Sequence, residues 1–557
     1  MATLVVCALL VATGRPRGPL NGWFEILYLA ETGRYSAAAA LAGVWGLGLA
    51  AVAGALLARG RGLWWAGVAV FALTTCADEG YRAVTGSMFG YGDALDLVQN
   101  AGFGLAGGVW RTYGPLIARG VGRGLLVAGA LVALAAWLRS RLPTGGLPRA
   151  GTLLLPAAWA LTYAALEATQ ANRVSFAAPV RIPALVAYAH YNQLYRGDRR
   201  EPATTPTREP LADHIVLIVD ESVRGDWLGL NGGPYDTTPF LDSVAGGRVV
   251  NFGVASSAAI CSNYSHHVLM SGLRPRDVPD RDGVSLRGPS LFQRAARAGF
   301  HAGLVYVPAK RDAPHGFLNP PDLDDLPTRV LPRLLYPGLP NYRQDSAALT
   351  PLADLIAGRP RTLTYFLKQG AHFSYDDSYP GSKAVFRPVL GGDDWSFSNR
   401  AALRNSYANA LRHNVDDFFR ALEATLPEGR VLVVYTGDHG QNVMDDPRYA
   451  QTHCLKEPAP AVMAAVPLLL YARDSALLAD LRALAHAGAP VPRSHFDVFP
   501  TLLRAMGYDS AWVRDAHGRS LFEPPPSLGQ SAPFFSGDLF GRSAVYANEF
   551  AVPRSGG

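Results

Sequence analysis

"HIVLIVDESVR" (His214–Arg224) carries an unbroken apolar run, Ile215–Val219, that ends on two adjacent acids, Asp220 and Glu221. A short run without polar alternation reads as a strand covered on both faces, the mark of a parallel sheet in an α/β protein. In such sheets ligands collect at the carboxyl ends of the strands. Acids placed there are costly to bury unless something positive meets them. The pattern recurs in "VLVVYTGDHG" (Val431–Gly440), where a buried run ends on Asp438 and His439. Two acids and an Asp-His pair, each closing a strand, can converge on one point, and a divalent cation there would offset the cost.

Working outward, similar runs lie at Val249–Val254, Ala302–Val307, Leu363–Leu367 and Val466–Tyr471. Helical patterns fall between or after them at Ser290–Ala298, Ser346–Ala357, Arg400–Leu426 and Val498–Met506. The alternation predicts a mainly parallel sheet covered by helices over residues 211–557.

The first third of the chain is different. Residues 1–172 hold no Lys, 12 Arg and 7 Asp plus Glu, a balance of +5 against +6 for the whole chain. The basic charge thus belongs to an apolar segment, which excludes a basic nucleic-acid face on the soluble part. Apolar stretches recur at Ala2–Thr13, Ser36–Ala58, Gly62–Ala77, Gly124–Leu138 and Gly151–Ala168. They read as a bundle of about five transmembrane helices, since a span takes roughly 20 apolar residues. Arg59 and Arg61, and Arg139, Arg141 and Arg149, sit in short loops that the positive-inside rule assigns to the cytoplasm. Everything after about residue 170 then lies outside. Tyr91–Ala101 has helical spacing and suits a helix at the membrane surface. Residues 173–210, charged and rich in Pro and Thr towards their end, are expected to form a linker.

Four cysteines (Cys7, Cys76, Cys261, Cys454) are too few for a disulfide scaffold. The sequence leaves open whether Cys261 and Cys454 are bridged in an oxidising compartment.

"ESVR" (Glu221–Arg224), "YDTTPFLDS" (Tyr235–Ser243), a Ser-rich loop ending "MSG" and "TGDHG", in that order, resemble the alkaline phosphatase/sulfatase superfamily. More narrowly, the chain resembles its membrane-anchored phosphoethanolamine transferases. The resemblance implies a zinc site made by Glu221, Asp438 and His439, with Ser262 as an unmodified nucleophile that is itself held on the metal. Ser262 lies ten residues before Gly272; Cys261 is the rival one residue away. The sulfatase maturation pattern is absent, because "SNYSH" lacks its Pro and Arg. His372 matches a family histidine of the substrate site and His453 one that contacts the substrate phosphate or a second zinc, so that both would orient phosphate oxygens or protonate a leaving oxygen. Leu367 stands where the family has a further His, and Lys368 next door is expected to supply the missing charge. Asp220 reads as a supporting group or a plain turn acid, His495 as structural, and Arg224 as the partner of a carboxylate. Either His266 or His267 could touch substrate.

The activity so implied is transfer of phosphoethanolamine from phosphatidylethanolamine to an outer-leaflet glycolipid or glycan, such as lipid A, through a phospho-Ser262 intermediate. The enzyme would be a monomer embedded in the inner membrane, its catalytic domain on the extracytoplasmic side. Phosphoglycerol transfer, or hydrolysis by a sulfatase or phosphatase, would use the same site; an inactive membrane-tethered binding domain is the non-enzymatic alternative.

Overall fold

The computed structural model describes residues 35–85, 108–142, 154–168, 178–191 and, with short interruptions, 199–553. Two compact units are present, Met1–Leu194 and Tyr195–Gly557.

The first unit is helical: α1 (Tyr35–Leu56), α2 (Arg61–Thr85), α3 (Gly108–Ser140), α4 (Leu154–Ala168) and α5 (Ala178–Tyr191). Among the described residues two segments are long and apolar enough to cross a membrane, Ala38–Leu56 and Tyr113–Ser140. That is fewer than the five spans expected. Helix α4 has 15 residues, about 22 Å at 1.5 Å per residue, short of a bilayer core of roughly 30 Å. Helix α2 is longer, but Asp78, Glu79 and Arg82 occupy its second half. Ala2–Thr13 and most of Tyr91–Ala101 fall outside the described residues.

The expected linker needs correction at its start. Residues 178–191 are helix α5, whose Ala184, Leu185 and Tyr188 pack in a cluster with Leu166 of α4. Arg181, within the expected linker, is buried and pairs with buried Asp78 of α2. A neutralised arginine costs far less to bury than a lone one, so the segment can pack.

The second unit is built on a seven-stranded sheet ordered β2-β7-β6-β1-β5-β3-β4. Its strands are β1 (His214–Asp220), β2 (Val249–Ser256), β3 (His301–Tyr306), β4 (Thr328–Val330), β5 (Thr362–Leu367), β6 (Val431–Gly437) and β7 (Ala465–Tyr471). All six apolar runs are strands of this sheet. β1, β3, β4, β5 and β6 run parallel, whereas β7 is antiparallel to both β6 and β2. Alternate residues of β1 enter different cores: Ile215, Leu217 and Val219 on one face, Val216 and Ile218 on the other. Helix α6 (Val498–Ala505) covers the first face through Leu502 and Phe499. Tyr407, Phe418 and Phe419 cover the second. With both faces covered, the exposed business end is the rim where the parallel strands stop.

Candidate active site

Strand register decides which side chains meet at that rim. β1 and β6 are paired with Asp220 opposite Gly437, so the next residues, Glu221 and Asp438, emerge side by side. β1 and β5 are paired with Val219 opposite Leu367, which brings Asp220 abreast of Lys368. Gly370 follows β5 at φ 55°, a left-handed conformation. A Cβ there would lie 2.3 Å from Asp220 Oδ1 and 2.6 Å from the Glu221 carbonyl, so only glycine lets this loop close on the acids.

Glu221, Asp438 and His439 are buried and can each present one ligand atom such that all lie within 4.8 Å of one another. His439 Nδ1 lies 2.8 Å from the Gly440 carbonyl, which only a protonated Nδ1 can satisfy. Nε2 is thereby left with its lone pair turned inward, 3.3 Å from Asp438 Oδ2 and 3.6 Å from Glu221 Oε1. Asp438 Oδ2 is buried and has no hydrogen-bond partner among the described residues. Its other oxygen is saturated by the backbone N–H groups of Ser222 at 2.8 Å and His439 at 2.7 Å. Burial, reinforced by the Glu221 charge, pushes the Asp438 carboxyl up to about 7. Burial also raises Glu221. Acceptors facing acceptors in a buried cluster are the arrangement a cation relieves.

Ser262 completes the group. It opens helix α7 (Ser262–Ser271), where the positive end of the helix dipole favours negative charge. Its Oγ lies 3.4 Å from Glu221 Oε2 and 3.2 Å from His439 Nε2. Cys261, the rival nucleophile, is bridged to Cys454 and is not a free thiol. The bridge, left open by the sequence, joins the residue before Ser262 to the residue after His453 across 193 positions of chain. The Cys454 N–H donates to the Ile260 carbonyl at 2.8 Å and reinforces the same junction.

His453 stacks on His439 with ring centroids 4.2 Å apart. Its Nδ1 lies 2.9 Å from Gln441 Oε1, and burial, then the neighbouring His439 and His372, push its pKa well below the usual histidine range. His372 is exposed at the rim, its ring nitrogen turned to the Phe373 carbonyl at 2.5 Å.

Lys368 departs from expectation. It is 0% exposed, and its ammonium contacts Asp220 Oδ2 at 2.5 Å and the Asn414 carbonyl. Tyr435 donates to the same Asp220 oxygen at 2.8 Å. The lysine charge is therefore spent under the floor of the site rather than turned towards a substrate. Even so, burial holds the Asp220 carboxyl up at about 6. His266 and His267 turn away as well, to Tyr365 at 2.6 Å and Ser285 at 2.7 Å, both buried. His495 is buried against Thr436 Oγ1 at 3.0 Å. Arg224 pairs with Asp226 and, at 2.6 Å, with Asp445, fastening the loop after β1 to the loop after β6. Sequence reasoning passed over Asp345. Its carboxylate accepts from the N–H groups of Gln369 at 2.7 Å and Gly370 at 3.0 Å and so shapes the loop beside Glu221. "NYRQDS" offers no local sign of this.

The family described as Sulfatase matches residues 213–508, more than half of the chain. The chain belongs to the sulfatase family. Among curated relatives, the Kdo(2)-lipid A phosphoethanolamine 7''-transferases of Salmonella typhimurium and Escherichia coli are each 24% identical over 308 residues, 53% of this chain and 52% of theirs. The chain thus spans about half the length of the curated relatives it matches. Among solved structures, the integral membrane protein lipooligosaccharide phosphoethanolamine transferase A (EptA) of Neisseria meningitidis aligns with 79% of this chain and 84% of its own. The TM-score is 0.51 at 18% identity, a likeness of fold.

Proposed function

We propose that this protein is a zinc-dependent phosphoethanolamine transferase that moves the head group of phosphatidylethanolamine to an outer-leaflet glycolipid or glycan of the lipid A kind. The observation that carries this reading is the convergence of Glu221, Asp438, His439 and the Ser262 hydroxyl at one rim. The names of the curated relatives supply the head group and the class of acceptor.

The residues fit a zinc ion. Two carboxylates and an imidazole form the mixed oxygen and nitrogen set that catalytic zinc prefers, with a position left for a reacting oxygen. The unpartnered Asp438 Oδ2 and the inward lone pair of His439 are the atoms it would satisfy. Bound there, the ion supplies Lewis-acid stabilisation of phosphoryl charge and lowers the pKa of an adjacent hydroxyl.

The chain's own groups do the rest. Ser262 Oγ gives up its proton as it attacks the phosphorus of the donor, the bond from phosphorus to the diacylglycerol oxygen breaks, and that oxygen takes up a proton in exchange. A phospho-Ser262 carrying ethanolamine remains, with its new negative charge at the start of α7. The acceptor oxygen then attacks the same phosphorus and Ser262 leaves. His453, kept in its uncharged form by burial and by the neighbouring His439 and His372, is placed to accept a proton and hand it on across each half. His372, exposed at the rim, is placed to meet the phosphate or the incoming group. In this reading the chain is a monomer anchored in the inner membrane, and the site works on the extracytoplasmic side, next to lipids scarcely soluble in water.

Mass spectrometry of membrane lipids and glycans, from cells with and without the protein, tests the proposal. A phosphoethanolamine-sized mass added to a glycolipid or glycan is expected. A glycerophosphate-sized mass would transfer the reading to a different donor, and release of a free head group without any adduct would make the protein a hydrolase.

Metal affinity carries the pH dependence. With its carboxyl pushed up to about 7 in the metal-free site, Asp438 holds a proton below neutrality that zinc must displace. Zinc affinity of the purified protein, measured by chelator competition, is therefore expected to fall by up to about tenfold per unit between pH 7 and pH 5 and to level off above pH 8.

A further inference from the structure

The edge strand β4 stops at the same rim as the catalytic strands, and the chain continues there into a short helix, Pro332–Leu335. Beyond Arg333 the chain is apolar and uncovered. Leu334 is 47% exposed, Leu335 55% and Tyr336 37%, and Pro337, Gly338 and Pro340 are exposed beside them. Three adjacent large apolar side chains exposed together form a patch that calls for a partner.

Charge narrows the occupant. From Leu326 to Gln344 the chain holds Arg329, Arg333 and Arg343 and not one Asp or Glu. Exposed leucines and a tyrosine, with Arg343 exposed seven residues after Tyr336, suit a bilayer interface, the apolar groups among the acyl chains and the cation among head groups, while Arg333 is held within the fold. A bilayer also suits the rest of the chain, in which two helices are long and apolar enough to cross one.

The segment is wired to the site. Arg333, within the short helix, donates to the Val307 carbonyl after β3 at 3.1 Å and to Gln369 Oε1 at 2.7 Å. Gln369 leads into Gly370 and Ala371, and the Ala371 N–H donates to the carbonyl of Glu221 at 3.0 Å. The geometry points to Leu334, Leu335, Tyr336 and Leu339 as a lipid-seated wedge. It dips into the outer leaflet beside the rim and presents the mouth of the site to phospholipid head groups. This deepens the transferase reading and rests on it for the purpose of the wedge, though lipid contact can be measured without any activity.

The test uses the full chain in nanodiscs of phosphatidylethanolamine and phosphatidylglycerol, with a photo-crosslinking amino acid at position 335. The control places it at Leu484, exposed beside Leu211 and Arg430 at the opposite end of the sheet. Lipid adducts at 335 in at least about tenfold excess over those at 484 support the wedge. Adducts at 335 to a second copy of the chain, or none, overturn it. In parallel, the triple variant Leu334→Ser, Leu335→Ser, Tyr336→Ser is expected to raise KM for donor in the disc about tenfold while leaving turnover of a soluble short-chain donor unchanged. An unaltered KM would overturn the wedge as a substrate-presenting device. Lipid adducts from a protein that transfers no head group would refute the transferase reading and leave the membrane contact standing.

Discussion

Ser262→Ala is expected to lose at least about 10⁴-fold in kcat with little change in folding. Removing the nucleophile from a set of groups that act as one unit costs on that order, because the remaining members have nothing to activate. The hydroxyl makes two contacts, at 3.4 Å to Glu221 and 3.2 Å to His439, and the net worth of such bonds to stability is only about 0.5–1.5 kcal/mol each. Activity and stability should therefore part company in this variant, the first read by head-group transfer in proteoliposomes and the second by thermal unfolding. Glu221→Gln should fall by a similar factor, and the double variant by scarcely more than either single one. Multiplicative losses would place Ser262 and Glu221 in separate machineries and sink the common centre. A Ser262→Ala enzyme that keeps a tenth of its activity would mean that the acceptor attacks the lipid directly, without a covalent stage.

How much of the fold and site is legible in the sequence varies with the range of the interactions. The six apolar runs are visible because burial on both faces is written into each strand locally. β4 is not, since three residues carry no period. Nor is the reversal of β7, because an apolar run looks the same in either direction. Glu221, Asp438, His439 and Ser262 can be picked out by motif, and the resemblance supplies their company. The environment of Lys368 cannot, because it depends on the pairing of Val219 with Leu367 across 148 positions of chain. α5 is misjudged for a related reason: whether Arg181 is solvated or buried is decided by Asp78, which is 103 residues away in sequence. Local chemistry shows through the sequence, and the partners of buried charges do not.

That difference gives Lys368 a sharp test. If its ammonium served the substrate phosphate, Lys368→Met would leave the fold alone and depress transfer. The structure requires the reverse order of events. Lys368 and Asp220 are both 0% exposed, and deleting one partner of such a pair strands the other, typically at about 3–5 kcal/mol. Asp220, already held at about 6 by burial with the lysine present, would rise further and take up a proton. For a domain of this size the expected loss is roughly 4–7 °C in Tm, with activity falling as the floor beneath Glu221 loosens. Adding Asp220→Asn should restore most of the lost stability, since the stranded charge is gone and the Tyr435 hydroxyl, 2.8 Å from Asp220, can still donate to the amide oxygen. A double-mutant cycle on thermal unfolding should then return a coupling of about 2 kcal/mol or more. If Lys368→Met unfolds like wild type, and Asp220→Asn does nothing to rescue its turnover, the lysine belongs to the substrate after all.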